Sequence, residues 1–206
     1  MKKIINLIMM QYNTLFSIKK LLILVVIFGS MFSILEPSMI AFVGLMYLMV
    51  SSYTVLGYEE KSKINYLICS LPVDKKDYIL SKYIYGIINT VIAIIISIVI
   101  SFFIPDLPKE ISILSIVITI AIIGTGVVAI LVPIMIIIGV EKARYILILC
   151  IVIPVCFSGK TSENIYKYII NTDGTTLALI SILVGITIIL TSYFITSNSY
   201  AKKELN

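Results

Sequence analysis

Residues 58–83 read YEEKSKINYLICSLPVDKKDYILSKY, a charged island between two apolar runs that are each long enough to cross a membrane. The island holds five lysines (Lys61, Lys63, Lys75, Lys76, Lys82) and four acids (Glu59, Glu60, Asp74, Asp77). Ile64, Leu67 and Ile68 stand at i, i+3 and i+4, which predicts one apolar face on a short helix with an acidic start at Glu59-Glu60. Ser70-Leu71-Pro72 stops that helix, because proline lacks an N–H donor and biases its predecessor away from the helical region. Asp74 is the expected N-cap of a second helix, with Asp77 at N3 and a staple between Val73 and Tyr78. From Asp74 onward no breaker interrupts the pattern before the next apolar span. The expected shape is helix, sharp corner, helix, joined to a membrane span. The alternative is a charged interfacial loop that only caps two membrane helices.

Outside the island the chain is overwhelmingly apolar. Of its 206 residues 60% are hydrophobic and 13% charged, more apolar surface than a soluble domain of this size could bury. An all-α polytopic membrane protein follows, a single domain with room for about six spans of roughly 20 residues. The expected spans are about 20–35, 39–57, 83–103, 111–140, 143–157 and 175–196. Residues 58–82 form the loop between spans 2 and 3, and 158–174 an external segment with a short amphipathic helix from Asn164 to Ile170. Span 4 is too long to be straight and too short to cross twice, so Gly124-Thr125-Gly126 and Pro133 predict a tilt or kink. Span 5, with Pro154 inside, is short.

Charge sets the orientation. With the N-terminus, the island, the Glu141–Arg144 turn and the C-terminal tail on one side, 13 of the 16 basic residues share that side. The positive-inside rule makes it cytoplasmic, so both termini are inside and the span count is even. The basic excess is thus an orientation signal and needs no nucleic acid. Residues 1–18 place Lys2, Asn6, Asn13 and Ser17 on one face and Ile4, Ile8 and Leu15 opposite, which predicts an amphipathic helix in the inner interface. No small-residue cleavage site follows, so it is expected to be retained. Small-x-x-x-small spacings at Gly29/Ser33, Ala93/Ser97 and Ser181/Gly185 allow close helix packing and are weak pointers to a dimer face.

Several function classes are excluded by what is missing. The expected spans carry no Asp, Glu or Arg, and no Lys beyond their ends, so no ion-coupling group lies in the membrane. The chain has no histidine, hence no zinc-protease motif and no Ser/His pair; Glu59-Glu60 lacks the arginine that a CAAX-type protease needs at position 64, which is Ile64. Cys69, Cys150 and Cys156 show no C-x-x-C spacing and read as buried thiols. No Walker A sequence is present, so the chain does not hydrolyse ATP by itself. A bundle of this kind, if it transports, takes its energy from a partner.

An acidic pair at Glu59-Glu60, then Leu71-Pro72-Val73, a Lys-Lys-Asp start and Lys82 resemble the cytoplasmic loop of ABC-2 type permeases, the membrane subunits of ABC transporters. The resemblance extends to the layout of elbow helix, six spans, loop and external segment. It implies a coupling helix in residues 58–82, docked on an ABC ATP-binding subunit, with two permease and two ATP-binding subunits and a homo- or heterodimeric permease pair. ATP and magnesium would be bound by the partner, leaving this chain no cofactor, no metal and no catalytic residue. Ile64, Leu67, Ile68, Leu71 and Pro72 are the expected groove-filling contacts, and Glu59, Glu60, Lys63 and Lys75 the polar rim. Glu141 and Arg144 form a second contact or a plain solvated turn. An apolar wall with Tyr47 and Tyr53 on the substrate path suits an amphipathic peptide or lipid-like molecule, as in the bacterial exporters of antimicrobial peptides and phenol-soluble modulins that small permeases of this type are similar to. The implied location is a bacterial plasma membrane. The alternatives are an immunity or sensor protein with the permease fold, or a vitamin-type substrate-binding module; the latter carries an A-x-x-x-A motif in its first span, whereas Leu21–Leu35 has no alanine.

Overall fold

The computed structural model describes residues 2–35, 37, 40–62, 74–104, 113–143, 145 and 174–202. All regular structure among them is helical. The six helices are α1 (Lys2–Ser17), α2 (Lys19–Leu35), α3 (Ile40–Lys61), α4 (Lys75–Ser101), α5 (Ile113–Ile137) and α6 (Gly174–Lys202). Four are long and apolar enough to cross a membrane, and a fifth span arises if α1 and α2, bent by 69° at Ile18, count as one. The expected fifth span, 143–157, and the external segment 158–174 lie outside the described residues apart from the ends of each.

α1 carries three faces where the sequence reading found two. Leu7, Gln11 and Leu15 are buried at i, i+4 and i+8, while Asn6, Asn13 and Ser17 are exposed. Ile5, Met9 and Phe16 form a further apolar face, open to the surroundings. A helix packed on one side and apolar on a second, with polar residues on a third, suits the boundary between lipid and water.

The helices pack with alternating directions that named contacts define. α3 runs against α4: Tyr47 donates to Asn89 Oδ1 at 3.2 Å, and Glu59 meets Lys82. α4 runs against α6, since Tyr83 lies beside Thr196 and Tyr78 beside Tyr200. α4 also runs against α5, with Gly86 on Val128 and Thr90 on Gly124. α5 and α6 are therefore parallel neighbours, and Ser192 Oγ donates to the Ala129 carbonyl at 2.6 Å between them.

Close approach comes from small residues. A Cβ on Gly44 would lie 2.5 Å from Ser97 Oγ and 2.8 Å from the Ala93 carbonyl oxygen, so α3 and α4 touch nearly backbone to backbone there. The Ala93/Ser97 spacing is thus used inside the chain, not on a dimer face. The Gly29/Ser33 pair is likewise buried, with Gly29 against Val43 of α3, and Gly185 faces Thr125 of α5. Small pairs mark intimate packing without saying which neighbour uses it.

Two boundaries differ from the sequence reading. α3 runs on to Lys61, so Glu59 and Glu60 end the span helix and do not start a new one. Nothing at residues 57–60 breaks a helix except Gly57, which helices tolerate at modest cost. α4 begins at Lys75 with Asp74 as N-cap in extended geometry, as expected, but its carboxylate makes no capping hydrogen bond. α5 is helical through Pro133 and stops before Gly139.

Candidate functional site

The C-terminal ends of α3, α5 and α6 and the N-terminal ends of α2 and α4 meet at one end of the bundle. Every charged residue of the described helices lies there, from Lys19 and Lys20 to Lys202. At its centre Glu59 and Lys82 form an ion pair with side chains only 2% and 1% exposed. Tyr78 Oη donates to the same carboxylate oxygen, Glu59 Oε2, at 3.1 Å, and its ring lies 4.8 Å from Lys82 Nζ. The other oxygen, Glu59 Oε1, has no hydrogen-bond partner among the described residues.

Glu59 sits in the last turn of α3, where the helix dipole favours a cation. The charge is held there by Lys82 and Tyr78 of the next helix, not by its own. Taking both ions out of water costs much of what their attraction returns, and removing one partner from such a pair costs about 3–5 kcal/mol. The pair is a strong constraint on how the ends of α3 and α4 are placed, and a weak source of net stability.

Glu60, one residue on, points elsewhere. Successive helical residues project about 100° apart, so adjacent acids reach different neighbours. Glu60 Oε2 accepts the backbone N–H of Val140, the first residue of the helical stretch 140–143 that follows α5. A carboxylate at a helix start satisfies an orphan N–H and complements the dipole. The chain reaches this cap through Gly139, whose φ of +95° is in the region L side chains avoid. A Cβ there would also lie 2.9 Å from Glu60 Oε1.

Beside the cap opens a cavity of about 660 Å³, lined by Tyr53, Glu60, Lys61, Glu141, Lys142 and Tyr145 among others. The expected second contact at Glu141 thus stands next to the island's acidic pair, while Arg144 lies outside the described residues. Tyr53 lines the cavity mouth; Tyr47, in contrast, is 7% exposed and joined to Asn89 within the bundle. Glu59, read from sequence as a rim contact, is interior, because Lys82 and Tyr78 withdraw it from the surface. Lys75 stands at the start of α4 with Nζ 5.9 Å from the Tyr200 ring. Lys63, Ile64, Leu67, Ile68, Leu71 and Pro72 lie outside the described residues, as do Cys69, Cys150 and Cys156.

The sequence reading missed Tyr78 as a ligand of Glu59 and Gly139 as the hinge of the second turn. Two adjacent acids at the end of an apolar helix were the available signal for the first. A glycine directly after an unbroken Ile-rich run was the signal for the second.

A bundle of apolar helices with all described charge at one end, tied by a buried ion pair, defines a polytopic membrane protein. A family model described as ABC-2 family transporter protein matches residues 6–201, nearly the whole chain, and the chain belongs to that family. Neither the curated proteins nor the solved structures returned a match. Membership makes the chain a membrane subunit of an ABC transporter, a class that works with a separate ATP-binding subunit and leaves ATP hydrolysis to it.

Proposed function

We propose that this chain is the permease of an ABC exporter that moves an amphipathic peptide or another hydrophobic substrate. Two permeases, identical or not, pair with two ATP-binding subunits. Residues 58–82 carry the coupling helix, and Ile64, Leu67, Ile68, Leu71 and Pro72 fill the ATPase groove, with Lys63 and Lys75 at its rim. The concentration of described charge at the end shared by α3 and α4 carries this reading. It puts the island between them on the face that positive-inside topology assigns to the cytoplasm.

The parallel packing of α5 and α6 supports an even span count. α5 ends at the charged end and α6 begins at the other, so the chain between them must return across the bundle. Both termini are then cytoplasmic, with α1 as an elbow helix in the inner interface and a bacterial plasma membrane as the location. An apolar, tyrosine-bearing cavity mouth at Tyr53 suits an amphipathic substrate better than a sugar or an ion.

The test is reconstitution. The chain, copurified with its ATP-binding subunit into proteoliposomes, should show ATP turnover stimulated by a synthetic amphipathic helical peptide and ATP-dependent movement of that peptide. Stable isolation without any ATP-binding subunit, or turnover indifferent to peptide, would overturn the reading.

A further inference from the structure

We propose that Glu59 and Glu60 are positioning residues that clamp three helix ends into one body, so that force on the intervening island moves α3, α4 and the end of α5 together. The inference rests on the permease reading above and assigns a device to it that the family does not specify.

Three observations carry it. The two acids are adjacent on α3, so their side chains diverge by about 100° and cannot serve the same neighbour. Glu59 grips Lys82, which lies two turns inside α4, and Tyr78 donates to the same oxygen, so α4 is held at two points. Glu60 grips the Val140 N–H, which joins α3 to the turn leaving α5. A partner pushing on residues 62–74 therefore meets an already braced frame. Without the brace, the same push would bend the helix ends and dissipate before reaching the membrane.

A buried ion pair is a poor device for stability alone, since apolar residues of similar volume are often as good or better. Its directional bonds instead specify the rotation and height of α4 against α3. An apolar contact would tolerate sliding; a pair with one productive geometry does not.

The full chain in lipid nanodiscs, spin-labelled at the exposed positions Lys61 and Lys76, reads the clamp directly. The unaltered chain should give one narrow distance distribution. Glu59→Gln and Lys82→Met should each widen it about twofold, and the exchange E59K with K82E should narrow it again. Glu60→Gln should leave this distance narrow while loosening the turn at Val140, read as faster amide exchange there. Unchanged distributions in both single variants would overturn the clamp, as would an exchange no better than the singles. In proteoliposomes with the ATP-binding subunit, the single variants should keep ATP turnover within about twofold and lose at least tenfold in peptide moved per ATP. If the distances respond but the unaltered complex moves no peptide, the exporter reading fails and the clamp stands. If the complex works and both singles move peptide at the full ratio, the clamp's role fails and the exporter reading stands.

Discussion

Gln11 Nε2 of α1 donates to Ser81 Oγ of α4 at 3.2 Å, one residue before Lys82. α1 is thereby seated on the helix that carries the cation of the buried pair, and Tyr12 packs edge-on against Tyr85 one turn further along. Gln11 is fully buried, yet its Oε1 has no partner among the described residues.

An unsatisfied buried acceptor costs about 1–3 kcal/mol, more than the one bond Gln11 makes returns. Ser81 Oγ keeps its own bond to the Tyr78 carbonyl at 2.6 Å if Gln11 is replaced. Gln11→Leu should therefore melt at the same or a higher temperature than the parent in detergent. Gln11→Ala should melt lower, because it leaves a cavity under α1.

At Gly44 the neighbour that would meet a side chain includes the Ala93 carbonyl oxygen, which cannot rotate away. Gly44→Val should force α3 from α4 and cost about 1–3 kcal/mol. Gly126, where an added Cβ would meet nothing within 4 Å, is the control. Gly126→Ala should be neutral or stabilising by about 0.5–1 kcal/mol, as expected for glycine in a helix interior. Denaturant unfolding in mixed micelles separates the two.

Gly139→Ala strains a backbone at φ +95° and pushes on the Glu60 carboxylate, so it should undo the cap at Val140. Losing such a cap costs about 1 kcal/mol and the strained backbone about 1–3 kcal/mol more. Hydrogen exchange at Val140 should speed up about tenfold or more, while Leu48 and Ile79 in the bundle stay protected. Unchanged exchange at Val140 would remove Glu60 as the tie to α5.

Sidedness is open to a direct check. Cysteines placed at Lys61 and Lys76 in intact cells should resist a membrane-impermeant maleimide until the membrane is opened. A cysteine at Phe103, 76% exposed at the other end of α4, should react at once. The reverse pattern would place the island outside and exclude a cytoplasmic ATPase from reaching it.

Much of the frame was legible beforehand because it rests on local chemistry. Asp74 marked the start of α4, since a capping residue after a proline needs no tertiary information. α2, α3 and α6 fell near their expected limits because apolar runs end where polar residues begin. The end of α3 was misjudged, because Glu59 and Glu60 looked like the start of something solvated. Their helical state depends on partners supplied from Lys82 and Val140, far along the chain. The role of the small pairs was equally hidden, since Gly29 or Ala93 shows closeness without naming the helix that comes close.

What the amino-acid order decides alone is the class of the molecule, the inner end of its helices and the limits of most of them, because run length, charge and breakers act within a few residues. Only the tertiary structure decides which neighbour each glutamate holds. That depends on how α3 is rotated among α4 and α5, and the rotation is set by side chains packing from every side at once.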